Sequence, residues 1–249
     1  DEGKQVLKNT SFTVRKGEIL GIAGVEGNGQ LELVECITGL RKNFHGNIYV
    51  NGKKINKSSI KSIRKLGLSH IPEDRMIFGM AAEASIAENL IADKLGEPII
   101  GKGPFLSQKK IKVLSDNLIK DFLIKCKSRK QPAKMLSGGN MQKVVVAREL
   151  AKKPSVMIAN QPSRGVDIGA TEFIHRKLVQ IREEGSAILL VSANLNEVIE
   201  LSDSLMVMYG GEIVAYFEDA KQVSEEELGF YMLGIKRQTK DEIRRVVNA

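Results

Sequence analysis

The sequence predicts an α/β fold in which helices cover a parallel β-sheet. Apolar runs of strand length alternate with segments whose apolar residues recur at helical spacing: "EILGIAG" (18–24), "SVMIAN" (155–160) and "AILLVSA" (187–193) are the runs. Continuous apolar strands joined by helices are typical of a parallel sheet that is buried on both faces. In addition, 42% of the 249 residues are hydrophobic, which is enough to form a sizeable core.

The first strand is followed by a glycine-containing loop and a helix. The predicted buried face of this helix carries four apolar residues at helical spacing: Leu31, Val34, Ile37 and Leu40. Gly39 is its predicted stop signal. Later, "GATEFIHRKLVQIREEG" (169–185) predicts a helix between two strands, and "DSLMVMYGGEIVAYF" (203–217) predicts a hairpin that turns at Gly210.

The middle of the chain differs, because strand signals disappear from about Ala81 to Met135. Ser107 is a predicted N-cap for a helix whose apolar face carries Ile111, Leu114, Leu118 and Phe122. An all-helical insertion within an α/β core is the simplest organisation. The predicted boundaries are an α/β core at 1–80 and 137–220, a helical subdomain at 81–136 that leads into residue 137, and a C-terminal helical extension at 221–249.

Composition favours a soluble globular protein. No apolar run approaches the roughly 20 residues that span a bilayer, and "DEGKQVLKN" at the beginning has no signal-peptide character. Two distant cysteines, Cys36 and Cys126, indicate reduced thiols in a cytosolic protein. The net charge of +8 permits a nucleic-acid or membrane contact. However, the densest basic run, "KKINKSSIKSIRK" (53–65), has no interleaved aromatic residue and favours a solvated surface over a binding patch.

The loop in "GIAGVEGNGQLELVECITGL" (21–40) partly matches a phosphate-binding loop. Gly24 and Gly29 have the glycine spacing of G-x-x-x-x-G-K-[ST], with Gly27 and Asn28 between them. Such a turn aims backbone N–H groups and a helix N-terminus at an anion. Gln30 and Leu31, however, stand where a lysine and a serine or threonine are expected. Alone, the loop is equally consistent with a structural β–α turn.

Two further segments place that loop in a family. "LSGGNMQKVVVAREL" (136–150) resembles the signature motif of ABC-type ATPases, and "VMIANQPSRGVDIGA" (156–170) lies in the position of the Walker B strand and D-loop. The three segments come in the family's order and spacing. The chain is therefore identified as similar to an ABC nucleotide-binding domain, a resemblance that implies a P-loop fold with a RecA-like parallel-sheet core, a β-hairpin region and a helical subdomain. "HIPEDR" (70–75) falls at the Q-loop, with Glu73 in place of glutamine.

The departures from the family concern its reactive groups. The positions of the loop lysine, the Walker B aspartate, the catalytic glutamate and the switch histidine hold, in that order, Gln30, Asn160, Gln161 and Ala193. An amide cannot take a proton as a general base does, and general bases contribute about 10²–10⁴ in rate. The resemblance therefore implies no competent catalytic residue, no metal ligand and no Mg²⁺ at this domain's own loop. A scaffold whose loop stays empty is the plainer alternative.

The signature segment has a second implied role. In the family, two domains stack head to tail, and each signature motif completes the ATP site on its partner's loop. The resemblance implies that the signature residues act in trans on ATP held chiefly by a partner: Leu136, Ser137, Gly138, Gly139, Asn140 and Gln142. Asp167 in the D-loop would lie across the same interface. The structural alternative is that Ser137 only caps a helix and the glycines only turn the chain.

"LSGGNMQK" and "RGVDIGA" closely resemble the second nucleotide-binding half of tandem ATPases in bacterial importers for ribose, galactosides and nucleosides. "GNGQ" together with "NQPSRG" resembles the nucleoside branch, and a sugar importer is the alternative. The resemblance implies a preceding nucleotide-binding domain in the same polypeptide and two transmembrane permease subunits, docked around Glu73–Gly79 and the helical insertion. It also implies an extracytoplasmic binding lipoprotein, a place on the inner face of the cytoplasmic membrane, and no ATPase activity for this domain alone.

Rival interpretations remain for the function. The basic charge is compatible with an ABC-type protein that acts on nucleic acid or ribosomes, although such proteins resemble the family with intact catalytic residues or long coiled-coil insertions. No nucleic-acid partner is expected here. A non-catalytic module that only holds transmembrane subunits is the third interpretation, and it differs from the first in whether Ser137 matters.

Overall fold

The computed structural model describes residues 6–102 and 105–247. The chain divides into two compact units. The first unit takes the described residues up to His70, then Pro154–Gln161, and the described residues from Leu178 onward. The second takes Pro162–Lys177 and the described residues between Ile71 and Lys153. Within these described ranges, none of the helices combines the length and apolar character needed to cross a membrane.

The strands of the described residues are short, and most of them join one sheet. In chain order they are β1 (Ile19–Ala23), β2 (Tyr49–Val50), β3 (Lys53–Lys54), β4 (Leu68–Ile71), β5 (Gly101–Lys102), β6 (Phe105–Leu106), β7 (Val156–Asn160), β8 (Ala187–Val191), β9 (Ser204–Tyr209) and β10 (Glu212–Phe217). The main sheet has the order β10-β9-β1-β8-β7-β4.

Helices occupy most of the connections. In chain order they are α1 (Gln30–Thr38), α2 (Ile60–Lys65), α3 (Ile86–Ile91), α4 (Gln108–Asp121), α5 (Gly138–Leu150), α6 (Ile168–Glu183), α7 (Leu195–Leu201), α8 (Glu225–Met232) and α9 (Lys240–Val247). Shorter helical turns lie at Arg75–Gly79, Ala92–Lys94, Ala133–Met135 and Ala220–Gln222.

The sheet of the first unit confirms the predicted parallel core. β1 pairs in parallel with both β8 and β9, and β7 pairs in parallel with β8. Every residue of β1 and β8 is buried, as expected for strands covered on both faces. The predicted hairpin is also confirmed, since β10 runs antiparallel to β9 at the edge of the sheet and the turn falls at Gly210 and Gly211.

The two faces of this sheet bury alternate residues of the same strands. On β9, Met206 and Met208 join a core cluster with Leu33 and Val34 of α1, whereas Leu205 and its alternate neighbours join a second cluster. That second cluster contains residues from α7 and α8. The period of two along a strand therefore distributes one apolar sequence between two helical layers.

The predicted buried face of α1 is partly wrong. Leu31 and Leu40 are about half exposed, while Leu33, Val34 and Gln30 are buried. Because successive helical residues are about 100° apart, Leu31 projects away from the Leu33 direction, and Gln30, one turn before Val34, lies on the inner face. Gly39 ends the helix in the left-handed conformation, as predicted.

The second unit is mainly helical. Ser107 accepts a hydrogen bond from the Lys110 N–H (3.4 Å) and caps α4 as predicted. Ile111 and Leu118 are buried along that helix, and Phe122 is buried at its end. A small cluster joins Ala87 and Ile91 of α3 to Ile111 and the buried Ile100.

The expectation of a purely helical insertion is corrected by the short hairpin β5–β6, in which Gly101 pairs with Leu106 and Lys102 with Phe105. Strands of two residues are too short to show a period of two in the sequence. The C-terminal helix α8 also contributes Leu228 and Tyr231 to the core of the first unit. The second unit begins at Ile71 and includes Pro162–Lys177, so its limits are wider than the expected 81–136.

Candidate functional site

The loop between β1 and α1 is a tight turn that contains glycine. The Asn28 N–H donates a hydrogen bond to the Val25 carbonyl oxygen (3.2 Å). Gly27 and Gly29 have φ angles of +89° and +105°, which residues with a Cβ rarely adopt. α1 then begins at Gln30, and no side chain caps its N-terminus. The first N–H groups of α1 are therefore left for water or a ligand.

Gln30 folds back onto this loop instead of pointing out of it. The side chain is buried, with 8% exposure, and its Nε2 donates a hydrogen bond to the Val25 carbonyl oxygen (3.2 Å). It packs so tightly on Gly24 that a Cβ at that position would overlap Nε2. The residue at the position of the family's lysine is thus neutral, and its amide is already engaged by the loop.

The other departures lie at the carboxyl ends of β7 and β8, which the structure brings together. Asn160, the last residue of β7, is buried and pairs in register with Val191. Gln161 follows with φ of +50°, and its N–H donates to the Val191 carbonyl oxygen (2.7 Å). Its Oε1 accepts a hydrogen bond from the Ala193 N–H (3.1 Å). The Gln161 amide, which cannot act as a base, therefore links the segments that follow β7 and β8.

The chemistry of these donors does not fit a magnesium–triphosphate complex. Gln30, Asn160 and Gln161 are neutral amides, Leu31 and Ala193 have no polar side-chain atom, and Mg²⁺ in proteins is bound through carboxylates together with phosphate oxygens and water. In the described part of the chain, no group of three or more histidine, cysteine or acidic residues is arranged to hold a metal ion. We therefore derive no hydrolytic step at this loop.

The loop is also tied to the hairpin turn between β9 and β10. The Gly210 N–H donates to Asn28 Oδ1 (2.9 Å), and the Gly211 N–H donates to the Asn28 carbonyl oxygen (3.0 Å). The Lys8 N–H in turn donates to the Gly211 carbonyl oxygen (2.8 Å). Sequence reasoning assigned no such role to Asn28, because the contact joins segments about 180 residues apart.

The signature segment lies in the second unit and forms the start of α5. Leu136 is buried, and Ser137 is exposed and caps the helix. Ser137 Oγ accepts hydrogen bonds from the Asn140 N–H (3.5 Å) and Nδ2 (2.9 Å). Asn140 Oδ1 accepts another from the Lys125 N–H (2.7 Å). Ser137 is the acceptor in both of its bonds, which leaves its hydroxyl hydrogen available to a ligand.

Two contacts join α5 to the segment that follows Gln161. Gln142 is buried, and its Nε2 donates to the Pro162 carbonyl oxygen (2.8 Å). A Cβ at Gly139 would lie 2.6 Å from Asp167 Oδ2 and 2.9 Å from Ala170 Cβ. Asp167 Oδ1 itself accepts a hydrogen bond from the Ala170 N–H (2.9 Å) at the start of α6. Gly139 of the signature segment and Asp167 of the predicted D-loop therefore lie close together within this chain.

Lys143, one residue after Gln142, is held against an aromatic ring. Its Nζ lies 4.7 Å from the ring centroid of Phe173. Burial lowers the pKa of the Lys143 ammonium, and the Asp167 carboxylate opposes that shift. The positive charge is thus placed on the side of α5 that packs against α6.

The Q-loop position also contacts the D-loop. Glu73 forms an ion pair with the Arg164 guanidinium. Arg75 Nη1 donates to the Arg164 carbonyl oxygen (2.6 Å), and its Nη2 donates to the Gly165 carbonyl oxygen (3.0 Å). Sequence reasoning identified Glu73 but missed Arg75 and Arg164, because local pattern carries no signal for bonds to backbone about 90 residues away.

The helical turn Arg75–Gly79 presents apolar side chains to solvent. Met76, Ile77 and Phe78 are 44%, 71% and 70% exposed. Asp74 Oδ1 accepts hydrogen bonds from the Met76 and Ile77 N–H groups and caps the turn. Three consecutive exposed apolar residues on an ordered turn are typical of an interaction surface.

The fold is that of an ATP-binding cassette. The solved structure of MJ1267, described as an ATP-binding cassette of an ABC transporter, aligns over 94% of this chain and 94% of its own with a TM-score of 0.75 and 23% identity. The dimeric structure of MJ0796, a bacterial ABC transporter cassette, aligns over 86% of this chain and 92% of its own with a TM-score of 0.73 and 22% identity. The predicted fold class is confirmed.

The sequence comparison identifies the family. The ABC transporter family matches residues 7–164, and the chain belongs to it. The guanosine import ATP-binding protein NupO of Bacillus subtilis is 38% identical over 93% of this chain and 45% of its own length. The glucose import ATP-binding protein TsgD13 of Haloferax volcanii is 38% identical over 94% of this chain and 43% of its own. The chain thus spans less than half the length of these curated relatives.

Proposed function

We propose that this chain is a cassette of an ATP-driven importer whose own loop is catalytically silent and whose signature motif completes the ATP site of a partner domain in trans. The observation that carries this proposal is a contrast between two helix starts. At α1, the side chain at the lysine position is buried in its own loop. At α5, the signature serine is exposed, and the glycines after it are closely packed.

The silent loop follows from charge. A unit charge pair at 4 Å contributes about 4 kcal/mol at an effective dielectric of 20, and Gln30 offers no such charge to a triphosphate. Gln161 cannot accept a proton from water, and Leu31 has no hydroxyl for Mg²⁺. Backbone N–H groups alone support at most weak binding without metal.

The retained signature has a physical use. The N-terminus of α5 presents backbone N–H groups and a partial positive charge, which favour a phosphate. Ser137 adds a hydroxyl donor next to Gly138 and Gly139. The first turn of α5 carries no lysine of a phosphate loop, and the Asp167 carboxylate lies close to Gly139. We infer that these groups act on the γ-phosphate of Mg²⁺–ATP bound to another domain.

The partners follow from the same proposal. A preceding nucleotide-binding domain in the same polypeptide would supply the competent loop, which is consistent with relatives more than twice as long as this chain. Two transmembrane permease subunits would dock on the exposed turn that carries Ile77 and Phe78. A lipoprotein outside the cell would deliver substrate to them, and the cassette would lie on the inner face of the cytoplasmic membrane.

Nucleosides are the proposed substrate class. "GNGQ" and "NQPSRG" support this choice, as does the likeness to a guanosine and to a nucleoside import ATP-binding protein, each at 38% identity. Sugars are the second candidate, because the glucose import relative is also 38% identical and a ribose import relative 37%. Uptake of labelled guanosine, glucose and ribose by the assembled importer would separate them.

The trans role is tested with two serine variants in the assembled importer. Ser137→Ala and Ser107→Ala each remove the N-cap of a helix in the same unit, at a similar cost of about 1 kcal/mol in stability. We expect only Ser137→Ala to reduce ATP turnover, by tenfold or more. Equal turnover in the two variants would refute the trans role and leave Ser137 as a cap.

The docking surface is tested by Phe78→Ser. Since this side chain is exposed, the substitution should leave stability within about 0.5 kcal/mol while weakening co-purification with the permease subunits. Phe230→Ser, at another exposed phenylalanine on α8, is the matched control. Loss of the permease from both variants, or from neither, would argue against docking on this turn.

A further inference from the structure

We infer that Arg75 is a positioning residue that fixes the 162–167 segment against the first turn of the signature helix. Arg75 lies within the predicted docking segment Glu73–Gly79, but the family resemblance assigns its side chain no role. Its effect on ATP turnover rests on the proposed function of the signature motif, whereas its structural effect does not. All the residues involved belong to the second unit.

The first support is the pattern of hydrogen bonds. One planar guanidinium donates to two successive carbonyl oxygens, those of Arg164 (2.6 Å) and Gly165 (3.0 Å). Two bonds from one rigid group fix the direction of the peptide segment as well as its distance. Gly165 has a φ of +65°, so the backbone turns at this residue, and the two carbonyl groups that accept from Arg75 lie on that turn.

The second support is the close approach of Gly138. A Cβ at this position would lie 3.0 Å from Arg75 Nη2 and 3.1 Å from the Gly165 carbonyl oxygen. Gly138, the first residue of α5, therefore packs against both atoms of the hydrogen bond between Arg75 and Gly165. Any shift of the guanidinium opens space next to Gly138.

Two other side chains also hold the 162–167 segment, and the contacts of Arg75 lie between theirs and Asp167 along the chain. Gln142 holds the Pro162 carbonyl, and Glu73 holds the side chain of Arg164. Neither of them reaches the carbonyls of Arg164 and Gly165. Without Arg75, the carbonyl oxygens of Arg164 and Gly165 would have to accept hydrogen bonds from water. The 162–167 segment would then lose the two hydrogen bonds that hold it just before Asp167.

Local stability does not explain the choice of an arginine. A cation next to a helix N-terminus opposes the helix dipole, and Arg75 Nη2 lies beside the first residue of α5. In addition, Arg75 Nε is buried without a hydrogen-bond partner among the described residues. These two costs indicate that the fork geometry of the guanidinium, which spans two carbonyls, is the feature that matters.

The structural effect is tested by hydrogen exchange on the whole chain. Arg75→Ala should accelerate exchange of the Ala170 and Thr171 amides, which are hydrogen bonded to Asp167, by roughly tenfold or more, the equivalent of one charge-assisted bond. Arg75→Lys should give a smaller increase, because an ammonium reaches one carbonyl at a time. Arg129→Ala is the control, since it removes an arginine paired with Asp116 in the same unit.

A second variant separates this effect from general unfolding. Gly138→Ala should displace the guanidinium and accelerate the same two amides, and the Arg75→Ala/Gly138→Ala pair should add little to either single change. Exchange at α4, away from the contact, should stay unchanged in all of these variants. If Arg75→Ala accelerates exchange no more than Arg129→Ala, or if it accelerates α4 equally, the inference is wrong.

Turnover in the assembled importer links the positioning to function. We expect Arg75→Ala to lower kcat for ATP by tenfold or more with a smaller change in KM, and Arg75→Lys to recover part of the loss. If exchange accelerates but neither Arg75→Ala nor Ser137→Ala changes turnover, the proposed function fails and the positioning stands. If Ser137→Ala abolishes turnover while Arg75→Ala leaves exchange unchanged, only the positioning inference fails.

Discussion

The N-termini of α1 and α5 both carry glycine next to the N-cap or at it, but they differ in the side chain at the start of the helix. The loop before α1 ends at Gly29 in the left-handed conformation, whereas α5 is capped by Ser137 and has Gly138 and Gly139 as its first two residues. At α1 the decisive side chain, Gln30, is buried and bonded to its own loop. At α5 the decisive side chain, Ser137, is exposed and accepts bonds only from Asn140. From this comparison we propose that a backbone able to bind an anion and a set of reactive side chains are separate properties of such a helix start.

The difference has a structural cause. The backbone of the first loop is retained by contacts unrelated to phosphate, since Asn28 ties it to the hairpin turn and Gly24 packs against Gln30. We therefore expect the contacts of Asn28 to preserve the shape of the loop when Gln30 and Leu31 are substituted.

The largest expected effect comes from restoring charge at the first loop. We expect the double variant Gln30→Lys/Leu31→Ser to bind Mg²⁺–ATP roughly a hundredfold more tightly than the unaltered chain, because a lysine–phosphate pair contributes about 4 kcal/mol before desolvation. Isothermal titration with ATP measures the change.

The control for that variant is Gln180→Lys, which adds the same charge on α6, away from the loop. Neither variant should hydrolyse ATP, since Gln161 remains an amide. Equal affinities of the two variants would show that the loop backbone has lost its phosphate geometry, and the distinction between backbone and side chains would then fail.

A smaller effect is expected at the signature glycines. Gly139→Ala places a Cβ within 3 Å of Asp167 and Ala170, so it should lower the free energy of unfolding by about 1–3 kcal/mol. Gly229→Ala on α8, where a Cβ meets open space, should raise it by about 0.5–1 kcal/mol. Chemical denaturation measures both values. Effects of the same sign would mean that Gly139 is not closely packed.

The smallest expected effect is at Asn28. Asn28→Ala removes the acceptor of the Gly210 N–H and should lower the free energy of unfolding by about 1 kcal/mol. Asn28→Asp keeps an acceptor oxygen and should retain most of that stability. Thermal melting of the two variants is the measurement, and indistinguishable melting temperatures would exclude this bond as a support of the loop.

Sequence patterns predicted the sheet well because its signals are local. The apolar runs at β1, β7 and β8 and the glycine pair after β9 each specify an element within a few residues. The same patterns failed at α1, where Leu31 fits the period but faces solvent. Leu40 fits the same period but lies beyond the end of the helix at Thr38 and is also exposed. The phase of a short helix depends on where the preceding loop ends, and propensity does not specify that point.

The candidate site was proposed from motifs, and the roles of its residues remain predictions. Ser137, Gly139 and Asp167 were proposed from their segments, and the structure places Gly139 close to Asp167. Arg75 was missed because it acts on carbonyl groups, which carry no side-chain signature. A side chain that binds backbone groups, as Arg75 does, is therefore hard to identify from one sequence.

The division between a silent loop and a working signature is tested most directly by ATP turnover in the assembled importer that contains this chain. Gln30→Ala and Ser137→Ala are compared under saturating Mg²⁺–ATP. Our account predicts that Gln30→Ala keeps turnover within about twofold, since the loop provides no charge to lose, and that Ser137→Ala reduces it by tenfold or more. A large loss with Gln30→Ala and none with Ser137→Ala would contradict it.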